Sequence, residues 1–229
     1  MIIRVKTRVY SDSMSTPSRG APNRGVRDLK PRKWPRQERS RATFDAILEG
    51  CARILRRDGL VAVTTNRIAE EAGVGIGTLY EFFPGRDAVL AVLCQRRLEA
   101  LGARVGIALE AARAESPEAA LRLVVAEIIE GVYAERWLFR VLLREAPWLR
   151  DSPEMRQRIE GLLDLGRAER ERRAGRRLSD RERASNWVVG RMLAGAVVDV
   201  AFAGRRDPPR DALAAELANL VVRMRGAVA

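Results

Sequence analysis

The sequence predicts an all-α protein of about nine helices in two parts: an N-terminal three-helix unit containing a helix-turn-helix, and a larger C-terminal helical unit. Three observations predict it. From Phe44 onward apolar residues recur at i, i+3, i+4 and i+7 almost without interruption. Ser, Thr, Pro and Gly punctuate that pattern with helix start and stop signals. No run alternates with the period of a strand, and no segment repeats.

The first helix carries Phe44, Ile47, Leu48, Cys51, Ile54 and Leu55 on one face, with Ser40 as its expected cap and Gly59 as its stop. Next comes TTNRIAEEAGVGIGTLYEFFPGRD, Thr64 to Asp87, in which two short apolar helices lie almost back to back. Thr64 is placed to accept a hydrogen bond from a first-turn amide, which makes it the N-cap of a helix ending at Ala72. Gly73 takes positive φ without steric cost, so the chain turns there, and Gly75 opens a second helix from Ile76 to Phe82. The small Ala69 and Ala72 allow the two helices to cross closely, giving a helix-turn-helix.

Beyond it, Leu90, Leu93, Leu101, Val105 and Leu109 carry a long helix. Ser116-Pro117 begins another, with Leu121, Val124, Val125, Ile128 and Val132 on its buried face. A short segment holds Trp137 and Phe139 and ends near Pro147. Ser152-Pro153 opens a helix whose stripe Met155, Ile159, Leu162, Leu163 gives way to the charged run RAERERRAGRR. Ser179 and Glu182 have capping-box spacing and open a helix expected over 180–203; Asp207 and Pro208 precede the last, expected over 209–225.

Charge is unevenly spread. The formal net charge is +12, and residues 1–41 hold twelve Lys and Arg against Asp12, Asp28 and Glu38. That is +9, which leaves +3 for the other 188 residues. Residues 1–38, rich in Ser, Pro, Gly and Arg and without helical periodicity, read as a disordered basic arm. Two functions are open to it: a solubilising tail or upstream extension, Met14 being itself a possible start, and a polyanion-binding arm, with a membrane surface as the weaker target. Residues 39–88 then form the helix-turn-helix domain and 89–229 the helical remainder.

Several function classes are disfavoured. There is no histidine, and the two cysteines, Cys51 and Cys94, stand apart at apolar helical positions, the pattern of reduced core residues. No phosphate-binding glycine loop or metal-ligand cluster is apparent, so neither an enzyme nor a cofactor is expected. The N-terminus lacks a continuous apolar stretch and the run from Met192 to Gly204 is too short to span a bilayer, so a cytoplasmic protein is expected. The competing class is a helical protein-interaction module that does not read DNA sequence.

The residues Thr64 to Leu90, TT..IAEEAGV..GTLY.FFPGRDAVL, with the amphipathic helix before them, resemble the DNA-binding domain of the tetracycline-repressor (TetR) family. The resemblance covers Ser40 to Leu93; beyond that it rests on helix count and order. It implies a dimeric, sequence-specific transcriptional regulator, a ligand-released repressor on a palindromic operator. Thr78 and Tyr80 match positions whose hydroxyls touch phosphate, and Arg86 stands where the family usually has a phosphate-contacting Lys. Thr65, Asn66, Arg67, Ile76 and Gly77 are the groove-facing candidates, Asn and Arg having the bidentate geometry that reads adenine or guanine. Two positions depart from the family. Gly75 lacks the usual Ser or Thr hydroxyl, and Glu81 is acidic where a basic or aromatic residue is common, so either it faces away from the duplex, the favoured reading, or it accepts from a cytosine amino group. The resemblance further implies dimerisation through the last two helices, where Gly190, Ala194, Gly195 and Ala215 lie beside Leu213, Leu217 and Val221. It also implies an apolar effector among Trp137, Phe139, Trp148, Met155 and Trp187, with Asn186 as anchor, although aromatics at helical spacing are ordinarily plain core.

Overall fold

The computed structural model describes residues 28–202 and 209–226. Those residues form ten α-helices: α1 Glu38–Asp58, α2 Thr65–Ala72, α3 Ile76–Phe82, α4 Arg86–Ala111, α5 Pro117–Ala134, α6 Arg136–Arg140, α7 Pro147–Arg150, α8 Pro153–Ala174, α9 Asp180–Ala201 and α10 Arg210–Gly226. The expected count of about nine falls one short. The segment between the fifth and eighth helices breaks into α6, one π-helical turn at Val141–Glu145, and α7. Pro147 explains the break, because it has no amide to donate and starts a helix instead.

Caps decide most boundaries. Ser116, Ser152 and Ser179 each accept a hydrogen bond from the amide three residues on, and Glu182 reaches back to the Ser179 amide to complete the capping box. The expectation for Ser40 does not hold. α1 begins two residues earlier, at Glu38, and the Ser40 hydroxyl donates to the Gln37 carbonyl, 2.8 Å away, instead of capping. Asp207 and Pro208, expected before the last helix, lie outside the described residues, as do residues 1–27.

Two apolar clusters hold the chain together. One joins α1, α2 and α3 to the first half of α4, and continues through Trp137, Leu138, Val141, Leu142, Leu149 and Met155. The other packs Leu101 and Val105 of α4 against Val124, Val125, Ile129 and Val132 of α5, Val197 of α9 and Ala218 of α10. Phe139 packs against both. The boundary expected at residue 88 thus falls inside α4 and inside the first core. Cys51 and Cys94 sit in that core, and burial pushes the Cys51 thiol up to about 12 and the Cys94 thiol well above its ordinary value, so both stay protonated and inert.

Residues 28–37, which fall within the stretch expected to be a disordered arm, lie against the folded domain. Leu29 packs on the first core, and the Trp34 ring lies 5.7 Å from that of Phe44. The Arg32 amide donates to the Phe82 carbonyl, 2.7 Å away, and Lys30 reaches Glu154 at the start of α8 at 3.5 Å. Apolar periodicity could not reveal this segment, because its anchors are one leucine, one tryptophan and a backbone amide.

Candidate nucleic-acid interface

The helix-turn-helix is built by the local chemistry its sequence carries. Thr64, extended at φ −129° and ψ 157°, accepts from the Arg67 amide at 3.2 Å and starts α2. Gly73, left-handed at φ 68° and ψ 31°, ends it: its amide donates to the Glu70 carbonyl and that of Val74 to the Ala69 carbonyl, both at 3.0 Å. Gly75 then opens α3 without a side-chain cap. Leu79, Phe82 and Phe83 are buried, and the Phe44 ring meets those of Phe82 and Phe83 at 5.6 and 4.7 Å, so α3 is bolted to α1 by its inner face.

The close approach of α1 and α2 has a cause beyond the small Ala69 and Ala72. A Cβ on Gly50 would stand 3.1 Å from the Ala72 amide nitrogen and 3.2 Å from both the Ala72 Cβ and the Ile68 carbonyl oxygen. Gly50 on α1 is therefore what lets α2 seat. It sits inside an apolar run with no turn beside it, so nothing in the sequence distinguishes it from an ordinary small core residue.

The outward faces carry the expected DNA-contacting residues. Ile76 and Tyr80 are each 40% exposed, Gly77 and Asn66 are exposed, and Thr65 and Thr78 are half-buried. The hydroxyls of Thr65 and Tyr80 lie 3.2 Å apart, tying the start of α2 to α3. The Asn66 side chain makes no hydrogen bond among the described residues. The two arginines are engaged. Arg67 Nη2 lies 2.5 Å from Asp58 Oδ2 and its Nη1 donates to the Ala62 carbonyl at 3.3 Å, so its guanidinium is turned back toward the end of α1. Arg86 Nη1 donates to the Val63 carbonyl at 3.0 Å, which holds it beside the start of α2. Glu81 is exposed and paired with Lys33 at 3.0 Å.

Charge around the motif is organised by carboxylates on α1 and α2. Asp58 is held below its ordinary range first by its hydrogen bond from Arg57 and then by Arg67; Glu71 is held down by Arg53 and Arg57. A polar cleft of about 390 Å³ lies among Arg57, Arg67, Glu70 and Glu71, and a second of about 310 Å³ lies around Asp28 and Pro84 to Ala88 at the start of α4. Among the described residues no cluster of His, Cys, Asp and Glu is arranged to hold a metal ion, and no helix is long and apolar enough to cross a membrane.

None of the six expected effector residues lines either cleft; four of them, Trp137, Phe139, Trp148 and Met155, lie in or against the first core. Trp137 and Met155 are buried in the first core, Trp148 packs on it, and Phe139 lies between the two cores. Asn186 is buried on α9, and Trp187 beside it is 63% exposed under the Arg191 guanidinium. The buried Trp137 Nε1 and Asn186 Oδ1 have no hydrogen-bond partner among the described residues. Of the expected dimer seam, Val221 is buried, Gly190, Ala194, Leu213 and Leu217 are half-buried, Leu217 packing on the second core of the same chain, and Gly195 and Ala215 are exposed; outside that expectation, Trp187, Val188, Met192 and Leu220 are also exposed.

In solved structures the chain is similar to a TetR-family transcriptional regulator from Streptomyces coelicolor, with 26% identity, 82% of this chain and 99% of that one covered, and a TM-score of 0.55. Two proteins named FadR share the fold. The fatty acid degradation regulator from Bacillus halodurans is 19% identical, covering 82% of this chain and 96% of that one, TM-score 0.60; the transcriptional regulator from Bacillus subtilis, in complex with stearoyl-CoA, is 18% identical, covering 80% and 97%, TM-score 0.59. No curated protein matches the chain. Residues 47–93, which span α1 from Ile47 through the helix-turn-helix into α4, match the family model of bacterial regulatory proteins, tetR family. Residues 47–93 thus carry the DNA-binding motif of the tetR family of bacterial regulatory proteins on an all-helical body, and the chain is a DNA-binding transcriptional regulator.

Proposed function

We propose that the chain works as a homodimeric repressor that binds a two-fold operator and lets go when an apolar small molecule binds its C-terminal part. The carrying observation is that α9 and α10 leave apolar surface uncovered. Trp187, Val188, Met192 and Gly195 recur along α9 at helical spacing, and Ala215 and Leu220 are exposed on α10. Two helices side by side with such faces match a second copy of themselves across a two-fold axis, where each patch meets its own image as a four-helix bundle. Small Gly195 and Ala215 allow close approach, and the larger side chains supply burial.

In this arrangement residues 39–88 bind DNA and residues 89–229 dimerise and hold the effector. Each α3 enters one major groove, about 34–36 Å from its mate. Ile76, Gly77 and Tyr80 face the bases and backbone there, with Thr65 and Asn66 from α2. Thr78 and Arg86 bind phosphate, and Arg67 adds a cation once it leaves Asp58. The effector reading is supported by the FadR relative solved with stearoyl-CoA and by two buried polar atoms, Trp137 Nε1 and Asn186 Oδ1, that lack partners among the described residues. A ligand bound near them releases DNA only if it favours a spacing of the two α3 helices that misfits the grooves.

The test is to sequence the genomic fragments that the purified protein retains and to measure the mass of the resulting complex. Enrichment of an inverted repeat, bound by two chains, is expected. Fragments of unbiased sequence, or a single chain on the enriched site, would overturn the proposal.

A further inference from the structure

The recognition helix α3 ends in a carboxylate, and the segment before α1 answers it. Glu81 stands one turn beyond Gly77, at i+4, and next to Tyr80, so it shares the exposed flank of the helix that the proposed reading turns toward DNA. An unpaired carboxylate there would meet the negative potential of the duplex. Lys33 donates from Nζ to Glu81 Oε2 at 3.0 Å, and its ammonium lies 4.9 Å from the centroid of the Phe82 ring.

Lys33 does not reach this place on a loose tail. On one side of it the Arg32 amide donates to the Phe82 carbonyl at the end of α3, and on the other the Trp34 ring rests on Phe44. The neighbouring backbone is therefore set before the ammonium pairs, which reduces the side-chain freedom that pairing must remove. Both partners remain more than half exposed, so the pair adds little to stability. Its consequence lies in the charge that α3 presents.

We propose that Lys33 is a positioning residue of the DNA-reading head, holding and neutralising Glu81 so that the exposed flank of α3 carries no net negative charge into the groove. This rests on α3 being the recognition helix. It gives residues 28–37 a part in DNA binding distinct from any phosphate contact of their own.

The experiment measures binding of full-length protein to short fluorescein-labelled duplexes of random sequence by anisotropy, across a salt series, for Lys33→Met, Glu81→Gln, the double variant and Gly77→Asp. Far-UV circular dichroism checks that each is folded. Lys33→Met should weaken binding about fivefold at low salt, the size expected for one unscreened charge a few ångströms from phosphate in water. Glu81→Gln should bind at least as well as the parent, and the double variant should match Glu81→Gln. A double variant as weak as Lys33→Met would overturn the proposal, because Lys33 would then act on its own. An unchanged Lys33→Met overturns it as well. Gly77→Asp tells the two failures apart: if it weakens binding while Lys33→Met is silent, only the role of Lys33 falls; if both are silent, α3 does not face the duplex and the underlying reading falls with it.

Discussion

Replacing Gly50 by alanine sets two effects of similar size against each other. Alanine in a helix interior is favoured over glycine by about 1 kcal/mol, since the unfolded chain has less freedom to lose. Against that, the new Cβ would stand 3.1 Å from the Ala72 amide nitrogen and 3.2 Å from two further α2 atoms, where carbon contacts normally settle at about 3.5–4.0 Å. Relief requires α2 to retreat by a few tenths of an ångström, and α2 is held. Ile68 and Ala69 are buried on it, and Glu71 receives Arg53 and Arg57 from α1. Overpacking of this kind costs about 1–3 kcal/mol, so the net expectation is a loss of about 1 kcal/mol. Urea unfolding followed by circular dichroism should show a lower midpoint at unchanged slope. Gly77 is the internal control. Nothing lies within 4 Å of a Cβ built there, so Gly77→Ala should stabilise by up to about 1 kcal/mol. A raised midpoint for Gly50→Ala would show that α2 yields freely and that the contact with α1 does not fix its position.

Three further outcomes follow from the same geometry. Trp187→Asp combined with Leu220→Asp should give monomers by sedimentation with the helical content kept, whereas Leu217→Asp should lower thermal stability, because Leu217 packs inside its own chain. Asp58→Ala should release the Arg67 guanidinium, tighten binding to DNA of any sequence by about threefold and steepen its salt dependence toward one more unit; an unchanged slope would mean that Arg67 stays folded back on Ala62. Asp58, Glu71 and Glu182 all have pKa values depressed by arginine partners, so the stability they contribute is present above the unfolded carboxylate range of about 4 and is lost as pH falls through their lower folded values. The melting temperature should therefore vary little from these groups between pH 7 and 5 and fall below about pH 4, and Glu182→Gln should remove part of that acid dependence.

How far the sequence could be read depended on whether a feature was written in neighbouring residues. Thr64, Gly73, Gly75, Ser116, Ser152 and Ser179 act on amides and carbonyls a few residues away, and each stands in the structure where its spacing placed it. Features that depend on distant chain were hidden. Gly50 acts on Ala72, Lys33 on Glu81, and Arg32 on Phe82, with no local pattern to announce them. Arg67 shows why a side chain's chemistry is a weaker guide than its surroundings. Its fork suits guanine, and that alone marks it as a base-reading candidate. The structure folds it onto Asp58 and the Ala62 carbonyl, nine and five residues back. Reading DNA with Arg67 therefore means exchanging an existing carboxylate for a phosphate or a base edge, and the net gain is the difference between two charge-assisted contacts rather than one whole contact. Asn66, with no such rival, keeps its full hydrogen-bonding capacity for the groove, which makes it the position on α2 where a substitution to alanine should most change base preference.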